Sequence, residues 1–459
     1  MNPDQLNEEN YCRLARAVLE RFGGSYPEAM ETLGTFRLNL ICGEEIRHSA
    51  ALQAALLTAV NTGKRAFLGG VFVEMPPMVA ATVPWPGEGS LNDIVRSLGA
   101  RLCDPQHSDL SHTLHFGGAV NPVPDALSVI CSGWRGGVAP AEMSFSLHDD
   151  IDFAMGGIAA GAMGVARGFL RVCGLSSHFV QRPLGVSLWR PDLEWTDEQA
   201  RGPELEYLPA NLWLLGLGHL GQAYLWNAAM LPYEKPCEAL FMLQDFDRVV
   251  EGNLSAGLLC EKSSAGRLKT RLCSEWLEER GFRTRICERR FDSTVRCEAD
   301  EPLLALCGFD SAPARRCLED AGFKVIVECG LGGSVDTFDQ LSLHTFPEST
   351  RTPAQIWAEE ETVEDMAQPA LLDAFRTEDP CGIVAETLAG KALSSSFVGA
   401  YAGALVMGEV LRGLHGGIRC EVINGQLRSN SPLRVAARDK HFQHRLALAG
   451  FTVAKPYFC

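Results

Sequence analysis

The feature that most restricts the fold of this chain is a glycine-rich turn set between an apolar segment and a helical pattern. Residues 212–215 are apolar and lead directly into Gly216-Leu217-Gly218-His219-Leu220-Gly221. A second apolar segment, residues 239–243, is followed by Asp245-Phe246-Asp247. Strand, glycine turn, helix and strand in this order form a βαβ unit, in which the glycines let backbone N–H groups approach a phosphate at the helix N-terminus. The sequence therefore predicts a nucleotide site on this unit.

The second half of the chain continues the alternation of strands and helices. Such alternation predicts an α/β domain with a parallel sheet and helices on both faces. The predicted strands are 212–215, 239–244, 284–288, 303–307 and 324–329, and the predicted helices are 220–230, 264–280 and 313–321.

The first half begins with a similar order of elements. Residues 75–125, rich in Pro, Gly and His, are predicted to be loops, apart from the elements that flank them. The predicted helices are 2–22, 47–60 and the Gly/Ala-rich 151–172, and the predicted strands are 36–42, 66–74 and 126–131.

The two halves therefore resemble each other, and each has a Gly/Ala-rich helix near its end, around residues 156–162 and 399–404. We predict two Rossmann-like domains in one chain, residues 1–200 and residues 205–459, that pair as a pseudodimer. The first half lacks the glycine turn, because Glu44 and Glu45 follow its first strand. Two carboxylates at that position would occupy the place of a phosphate, so we expect the first nucleotide site to be inactive.

Composition excludes several classes of protein. The net charge is −16, from 41 basic and 57 acidic residues, without a basic run, which disfavours nucleic-acid binding. We find neither a signal-peptide pattern nor an uninterrupted apolar stretch long enough to cross a membrane, and expect a cytoplasmic protein that is not membrane-bound. The 16 cysteines include no CxxC pair, the usual pattern of a structural zinc site.

Three polar residues favour ATP over a nicotinamide cofactor. Up to Asp245, which could accept hydrogen bonds from ribose hydroxyls, NAD and ATP fit equally well. Asn253 and Lys269 lie further along the chain, and Asp310 follows the apolar strand that ends near Cys307. Splitting a triphosphate requires neutralisation of the pyrophosphate leaving group, for which a lysine and Mg²⁺ are suited. Each residue alone is also compatible with an ordinary solvated side chain.

Together these segments resemble the superfamily of ubiquitin-activating enzymes and the thiamine- and molybdopterin-pathway adenylyltransferases, the ThiF/MoeB type. The resemblance covers about residues 205–425. It implies that the glycine turn (Gly216, Gly218, Gly221) and the Asp245–Asp247 segment bind ATP, that Asp245 holds the ribose, that Asn253 and Lys269 hold the phosphates, and that Asp310 holds Mg²⁺. The matching segments are GLGHLG, DFD, Asn253, AGRLK ending at Lys269, and Asp310 to Arg315.

One position departs from the family pattern. The family usually carries an arginine three residues after the asparagine, where this chain has Ala256. Tyr11-Cys12-Arg13 resembles the family's Tyr-x-Arg element, whose arginine reaches into the ATP site of a neighbouring subunit. In this chain the first half would be the built-in neighbour, and it would supply Arg13 in cis.

Cys381 is the candidate nucleophile. It precedes a long helical pattern that ends near Leu414, and a helix N-terminus stabilises a thiolate, although the adjacent Glu378 and Asp379 oppose this effect. In the resembled family, this position often carries the thioester-forming cysteine at the end of a loop that crosses over the adenylate. Residues 331–380 are long enough to form that crossover loop.

The resemblance implies ATP-dependent adenylation of the C-terminal tail of a ubiquitin-like protein, thioester formation on Cys381 and transfer to a conjugating enzyme. The layout resembles activating enzymes of bacterial ubiquitin-like conjugation operons, including antiphage (Bil-type) systems. Three alternatives stay open: an adenylyltransferase for sulfur transfer or small-molecule or peptide modification without a thioester, an NAD-dependent oxidoreductase, and a non-catalytic scaffold. The sequence also leaves open whether two chains form a homodimer.

Overall fold

The computed structural model describes residues 11–105, 111–118, 123–147, 150–175, 182–347, 349–358, 392–429, 432–438 and 443–457. Its strands are β1 (Arg37–Cys42), β2 (Gly70–Glu74), β3 (Arg101–Leu102), β4 (Ser111–Phe116), β5 (Leu127–Ser132), β6 (Arg135–Pro140), β7 (Leu184–Ser187), β8 (Tyr207–Pro209), β9 (Asn211–Leu215), β10 (Leu240–Gln244), β11 (Arg283–Cys287), β12 (Leu304–Cys307), β13 (Val325–Leu331), β14 (Gln340–Phe346), β15 (Arg419–Gln426), β16 (Arg434–Arg438) and β17 (Phe451–Val453). Its α-helices are α1 (Ala15–Phe22), α2 (Tyr26–Thr35), α3 (Ala50–Ala66), α4 (Leu91–Ser97), α5 (Ala154–Val172), α6 (His219–Ala229), α7 (Lys269–Glu278), α8 (Ala312–Arg316), α9 (Pro353–Ile356), α10 (Ser396–Leu414) and α11 (Gln443–Ala449).

The two large sheets of the described chain have the same strand order. The first sheet runs β3-β2-β1-β4-β5-β6-β7, and the second runs β11-β10-β9-β12-β13-β14-β15-β16. In each sheet the first five strands are parallel, and the strands that follow pair antiparallel. The strand order reverses between β1 and β4 and between β9 and β12, and ligands of open α/β sheets bind at the carboxyl end of such a switch point.

Glycine-rich helices pack closely within each half, and one of them, α10, also lies where the halves meet. In the first half, methyl groups built on Gly157 and Gly161 of α5 would come within 1.9 Å and 2.3 Å of carbonyl oxygens of α3. In the second half, a methyl group on Gly403 of α10 would lie 3.0 Å from the carbonyl oxygen of Ala223 in α6. Helix α10 packs on α5 and α3 as well as on α6. Glycine is required here because the helix backbones nearly touch.

Polar bonds also join the two halves. The indole Nε1 of Trp226 in α6 donates to Thr58 Oγ1 in α3 at 3.1 Å, and Ser396 Oγ in α10 donates to the carbonyl of Thr62 at 3.1 Å. Both hydrogen bonds are buried. Without them, the donor and acceptor groups would lack a partner away from water, which would lower the stability of the fold.

The prediction for residues 75–125 was wrong in three places, at α4, at the two-residue strand β3 and at β4. Helix α4 begins after a Ser90 cap whose side chain accepts from the N–H of Asp93, and β4 lies in the centre of the first sheet with every residue buried. The composition of β4, Ser-His-Thr-Leu-His-Phe, hid it, because a buried strand normally shows a β-branched and aliphatic run. The strand predicted at 66–74 begins only at Gly70, since α3 continues through Ala66.

One helix of the described chain, α10, is long and apolar enough to cross a membrane by length and composition alone. All of its most apolar window is buried inside the protein. A core helix meets the same criteria, and the packing of α10 against α5 and α6 is that of a core helix.

Candidate nucleotide site

A cavity of about 410 Å³ opens at the carboxyl ends of β9 and β12, at the switch point of the second sheet. Residues far apart in the sequence meet there, including one that precedes α1. The predicted site residues that line this cavity are Arg13, Gly216, Gly218, Asp245, Asp247, Asn253, Lys269 and Asp310.

The glycine turn between β9 and α6 has a separate physical reason for each glycine. Gly216 has φ of 85°, a conformation that other residues rarely adopt. A methyl group on Gly221 would lie 1.9 Å from the carbonyl oxygen of Gly216, so the helix could not approach the turn so closely. A methyl group on Gly218 would meet no heavy atom within 4 Å, and Gly218 lines the cavity. Gly221 therefore shapes the turn without lining the cavity, and Gly218 keeps the approach to the helix N-terminus open.

Asp245 fixes the turn from the end of β10. Its Oδ2 accepts from the N–H of Leu217 at 2.6 Å, and its Oδ1 accepts from the N–H of Asp247 at 2.8 Å. The carboxylate is 8% exposed, on the wall of the cavity. Each oxygen retains a lone pair for a hydroxyl donor, as a ribose contact requires.

Lys269 is the first residue of α7, and its side chain is nearly buried, with 10% exposure. Its Nζ lies 2.9 Å from Asp247 Oδ2, and its backbone N–H donates to the carbonyl of Asp247 at 3.0 Å. The ammonium therefore does not point into solvent but lines the cavity. A buried ammonium held by a single carboxylate keeps donors that a phosphate could use.

The wall that contains Asn253 consists of residues 252–257, a short 3₁₀ helix and the turn after it. Asn253 Oδ1 accepts from the N–H of Val250 at 3.1 Å, and the carbonyl of Asn253 accepts from the N–H of Gly257 at 2.7 Å. Ala256, where the resembled family has arginine, lines the cavity and is 5% exposed. Arg13 lines the same cavity, so a guanidinium approaches the site from outside this segment.

Asp310, beyond the end of β12, is exposed on the cavity rim. Within the described ranges, no group of three or more His, Cys, Asp or Glu could hold a metal ion. A single carboxylate still fits Mg²⁺, which is commonly bound by one or two carboxylates together with substrate phosphates and water. Asp310 is therefore the residue that could hold Mg²⁺ alongside a triphosphate.

Four polar residues of this cavity were given no role by the sequence: His219 and Arg315, which were named only as members of matching segments, and Gln222 and Ser394, which were not named. Gln222 Nε2 donates to the carbonyl of Leu217 at 3.0 Å, while its Oε1 accepts from the N–H of Leu259 at 2.9 Å. It thus ties the glycine turn to the residues just after the Asn253 wall. The available signal was a glutamine in a helix that is largely apolar.

Arg315 is held by a buried carboxylate. Its Nη2 lies 3.0 Å from Oε1 of Glu328, a residue with no exposed surface, and its Nε donates to the carbonyl of Phe309 at 3.0 Å. His344 Nδ1 lies 3.1 Å from the other oxygen of Glu328. Arg315 lies in α8, Glu328 in β13 and His344 in β14. The two contacts of Glu328 therefore join separate elements, and local sequence could not reveal them.

His219 is a neutral group in this site. Burial, helped by the nearby Arg13, lowers the pKa of His219 to about 4, so the imidazole is uncharged at neutral pH. Its Nε2 and the hydroxyls of Ser394 and Ser395 are buried without a hydrogen-bond partner among the described residues. Unpaired buried polar atoms beside a cavity are suited to receive a ligand.

In the first half, the start of the corresponding helix α3 is capped by a carboxylate that the sequence analysis did not name. Asp152, two residues before α5, accepts from the N–H groups of Ala50 and Ala51 at 2.6 Å and 2.9 Å, at the start of α3. Ser394 stands two residues before α10 in the second half, and it leaves the start of α6 open. The prediction that Glu44 and Glu45 lie at the N-terminus of this helix is wrong: both lie in a separate 3₁₀ helix, where Glu44 pairs with Arg47 at 2.6 Å.

Cys381 lies outside the described residues, within 359–391. The predicted crossover loop, residues 331–380, falls partly in the same range. In its described part, residues 340–346 form β14, which pairs with β13 and β15. The described part of the predicted loop therefore contains a strand.

Two family models match the chain. The BilD N-terminal domain matches residues 37–188, and the BilD C-terminal domain matches residues 208–417. The curated "Bacterial E1-like protein BilD" of Collimonas sp. (strain OK412) is 40% identical over 409 residues, which cover 87% of this chain and 87% of that protein.

Solved structures of E. coli MccB are also similar to this chain. MccB with succinimide matches with a TM-score of 0.32 and 13% identity, covering 50% of this chain and 63% of the MccB chain. MccB with ATP matches with a TM-score of 0.32 and 14% identity, covering 50% of this chain and 62% of that chain. This chain therefore spans less than two thirds of the MccB chain, and TM-scores this low support no argument about the site.

Proposed function

The chain belongs to the BilD family of the E1-like superfamily, and we propose that it activates the C-terminal carboxylate of a ubiquitin-like protein by adenylation with ATP. The observation that carries this proposal is the convergence of Lys269, Asn253, Arg13 and the open start of α6 on one cavity. A nicotinamide cofactor needs neither this lysine nor an arginine from the first half. Cleavage of a triphosphate needs such cationic side chains, because negative charge develops on the leaving pyrophosphate.

In the proposed first step, a carboxylate oxygen of the partner's C-terminus attacks the α-phosphorus of ATP. The bond between this phosphorus and the oxygen that bridges to the β-phosphate breaks, so the products are an acyl-adenylate and pyrophosphate. Asp245 would hold the ribose, and Lys269 and Asn253 would hold the phosphates. When bound at Asp310, Mg²⁺ would neutralise part of the pyrophosphate charge.

We propose that the first half is an inactive partner in a pseudodimer within the chain. Its counterpart position is filled by the protein's own carboxylate, since Asp152 takes the N–H groups at the start of α3. This carboxylate would repel a phosphate at the same place. The first half would instead contribute Arg13 to the second site in cis, next to Ala256.

The second proposed step is thioester formation. The Cys381 thiolate would attack the carbonyl carbon of the adenylate, AMP would leave, and the acyl group would pass to the cysteine of a conjugating enzyme. The name of the Collimonas relative, an E1-like protein, supports this step. The use of ATP fits the cytoplasmic location expected from the sequence, and a role in an antiphage conjugation system would fit the Bil-type resemblance.

A second candidate function is adenylation that ends at the adenylate or passes it to sulfur or a small amine. All of the cavity residues described above serve this reaction equally well. The two candidates differ in the covalent intermediate, which only the first one forms.

The test that needs no knowledge of the partner is nucleotide binding. Excess ATP with Mg²⁺ should raise the melting temperature of the full-length protein, because a ligand that binds only the folded state stabilises it. NADH should leave the melting temperature unchanged. A shift with NADH and none with ATP would replace the proposal with an oxidoreductase.

The test of the reaction is exchange of labelled pyrophosphate into ATP. The acyl substrate would be a small β-grasp protein with a Gly-terminated tail encoded beside this gene. Exchange that depends on this protein's terminal glycine is the expected result. ATP binding without exchange would favour a scaffold or a different acyl substrate.

A further inference from the structure

One wall of the nucleotide cavity is held from the first half of the chain. Arg65, in the last turn of α3, donates from Nη1 to the carbonyl of Leu254 at 2.8 Å and from Nη2 to the carbonyl of Leu258 at 3.0 Å. Asn61, one turn earlier, donates from Nδ2 to the same Leu258 carbonyl at 3.1 Å. Two side chains of one helix thus donate hydrogen bonds to the backbone of the segment that follows Asn253.

The two carbonyl groups that accept these hydrogen bonds, those of Leu254 and Leu258, flank residues that face the cavity. Asn253 lies just before the first of them, and Ala256 and Gly257 lie between them. The segment has little regular structure, only the 3₁₀ helix Glu251–Ser255. Its own hydrogen bonds shape its turns, and tertiary bonds fix where the segment lies against the rest of the protein. Arg65 holds one side of the segment, and Gln222 holds the other side through the N–H of Leu259.

Burial of the Arg65 guanidinium costs desolvation free energy. Arg65 is 5% exposed, and the nearest carboxylate, Glu261, lies 3.6 Å away and already pairs with Lys64 at 2.6 Å. Replacement of both members of such an ion pair by apolar side chains is often neutral or stabilising, so the pair with Glu261 does not by itself account for a buried arginine here. An apolar side chain could not reach two carbonyls at once, whereas a planar guanidinium can.

We propose that Arg65 is a positioning residue for the adenylation reaction: the first half uses it to fix the phosphate-facing wall at residues 252–257 of the second half. This inference rests on the proposed function, and it gives the first half a role besides Arg13. Arg65 itself does not line the cavity, so it acts through the backbone of Leu254 and Leu258.

The experiment compares three variants of the full-length protein. Arg65→Met removes both donors and keeps the length of the side chain. Arg65→Lys keeps the charge and can restore one of the two bonds. Lys64→Met is the matched control, because Lys64 is the next residue of α3 and its ammonium bonds a side chain, Glu261, rather than the wall.

Two measurements are made on each variant that melts as cooperatively as the wild type. The first is hydrogen exchange of the backbone amides of residues 250–260. The second is the ATP dependence of pyrophosphate exchange. Arg65→Met should speed amide exchange in this segment alone and lower kcat/KM for ATP by about 10- to 100-fold, the scale of a misplacement of about 1 Å. Most of this loss should lie in KM. Arg65→Lys should recover part of it, and Lys64→Met should stay within about twofold of wild type.

The outcomes separate this inference from the proposed function. Unchanged amide exchange and unchanged KM for ATP in Arg65→Met would overturn the positioning role. If the wild type neither binds ATP nor exchanges pyrophosphate, the proposed function fails, and amide exchange still decides whether Arg65 fixes the wall. If Arg65→Met is too unstable to assay, Asn61→Ala removes one bond to Leu258 and gives a milder version of the same test.

Discussion

The ammonium of Lys269 lies 2.9 Å from the carboxylate of Asp247, and the two side chains differ sharply in exposure: 10% for the lysine and 49% for the aspartate. The lysine is therefore held toward the cavity by a partner that is still in contact with water. An entering phosphate would compete with Asp247 for the same ammonium. Because the aspartate is half exposed, water can take over its hydration at modest cost.

Replacement of this lysine gives the first prediction. Lys269→Met should lower kcat for pyrophosphate exchange by about 100- to 1,000-fold, the usual effect of removing one group that stabilises developing negative charge. Lys269→Arg keeps a charge near Asp247 and should retain more activity than the methionine variant. Equal activity of wild type and Lys269→Met would remove the lysine from the phosphate site.

Two glycines of the turn provide the second prediction, because the space around them differs. Gly221→Ala places a methyl group 1.9 Å from the Gly216 carbonyl, so the free energy of unfolding should fall by about 1–3 kcal/mol or more. Gly218→Ala meets no neighbour within 4 Å and should leave the stability near that of wild type. Its methyl group should instead weaken ATP binding. Urea unfolding and ATP-induced melting shifts measure the two effects, and a destabilised Gly218→Ala would contradict this assignment.

The sequence predicted those parts of the fold that local patterns encode. Strands β9, β10, β12 and β13 and helix α6 carry apolar runs and a glycine turn of known geometry, and each lies within a few residues of its predicted position. Strand β4 was missed because its histidines and threonine conceal a fully buried strand. Strand β14 was missed because its residues were assigned to the crossover loop, although it pairs with the neighbouring β13. Strand β15 was missed because its partner β14 is far away in the sequence.

The candidate site likewise contains residues that local sequence patterns predict and residues that only the folded chain brings together. Lys269, Asn253 and Asp245 could be predicted because their spacing follows a known pattern, and the structure brings them to one cavity. The ion pair of Arg315 with Glu328 and the grip of Arg65 on the Asn253 wall arise from contacts between distant segments. The role of Asp152 could not be read from the sequence either, since it caps a helix that begins about a hundred residues earlier.

Arg13 gives the third prediction, which separates action in cis from action between chains. Arg13→Met should lower kcat/KM for ATP at least about tenfold, the effect of losing one charge-assisted hydrogen bond worth about 1.5–3 kcal/mol. The decisive measurement mixes Arg13→Met with Lys269→Met. If the arginine acts within its own chain, the mixture shows no more than the residual activity of Arg13→Met. Recovery of activity on mixing would show that the arginine comes from a second copy.

Cys381 gives the fourth prediction, which concerns the covalent step alone. Cys381→Ala should keep pyrophosphate exchange and lose the thiol-sensitive adduct with the acyl partner, because the adenylate forms without the thiol. Cys237→Ala is the matched control, since this cysteine is exposed and does not line the cavity. Gel electrophoresis with and without reductant measures the adduct. A reducible adduct that survives in Cys381→Ala would assign the thioester to another cysteine.

The fifth prediction concerns stability in acid and rests on His112 in β4. Burial, with a smaller effect of the nearby Arg171, lowers the pKa of His112 to about 3, and both ring nitrogens are buried without a hydrogen-bond partner among the described residues. Between the ordinary pKa of about 6.5 and the lowered one, the unfolded chain binds a proton that the folded chain does not. The free energy of unfolding should therefore fall as the pH falls, by about 1.4 kcal/mol per pH unit from this group once the pH is well below 6.

The measurement compares wild type with His112→Leu, which cannot bind the proton but fills a similar space. Urea unfolding at pH 7.5, 6 and 5 should show the wild type losing stability relative to the variant, with nearly all of the difference developing below about pH 6.5. Carboxylates that protonate in the same range affect both proteins alike, so the difference isolates His112. A constant gap between the two proteins across this range would mean that the folded protein also binds the proton, and that the imidazole is hydrated or paired in solution.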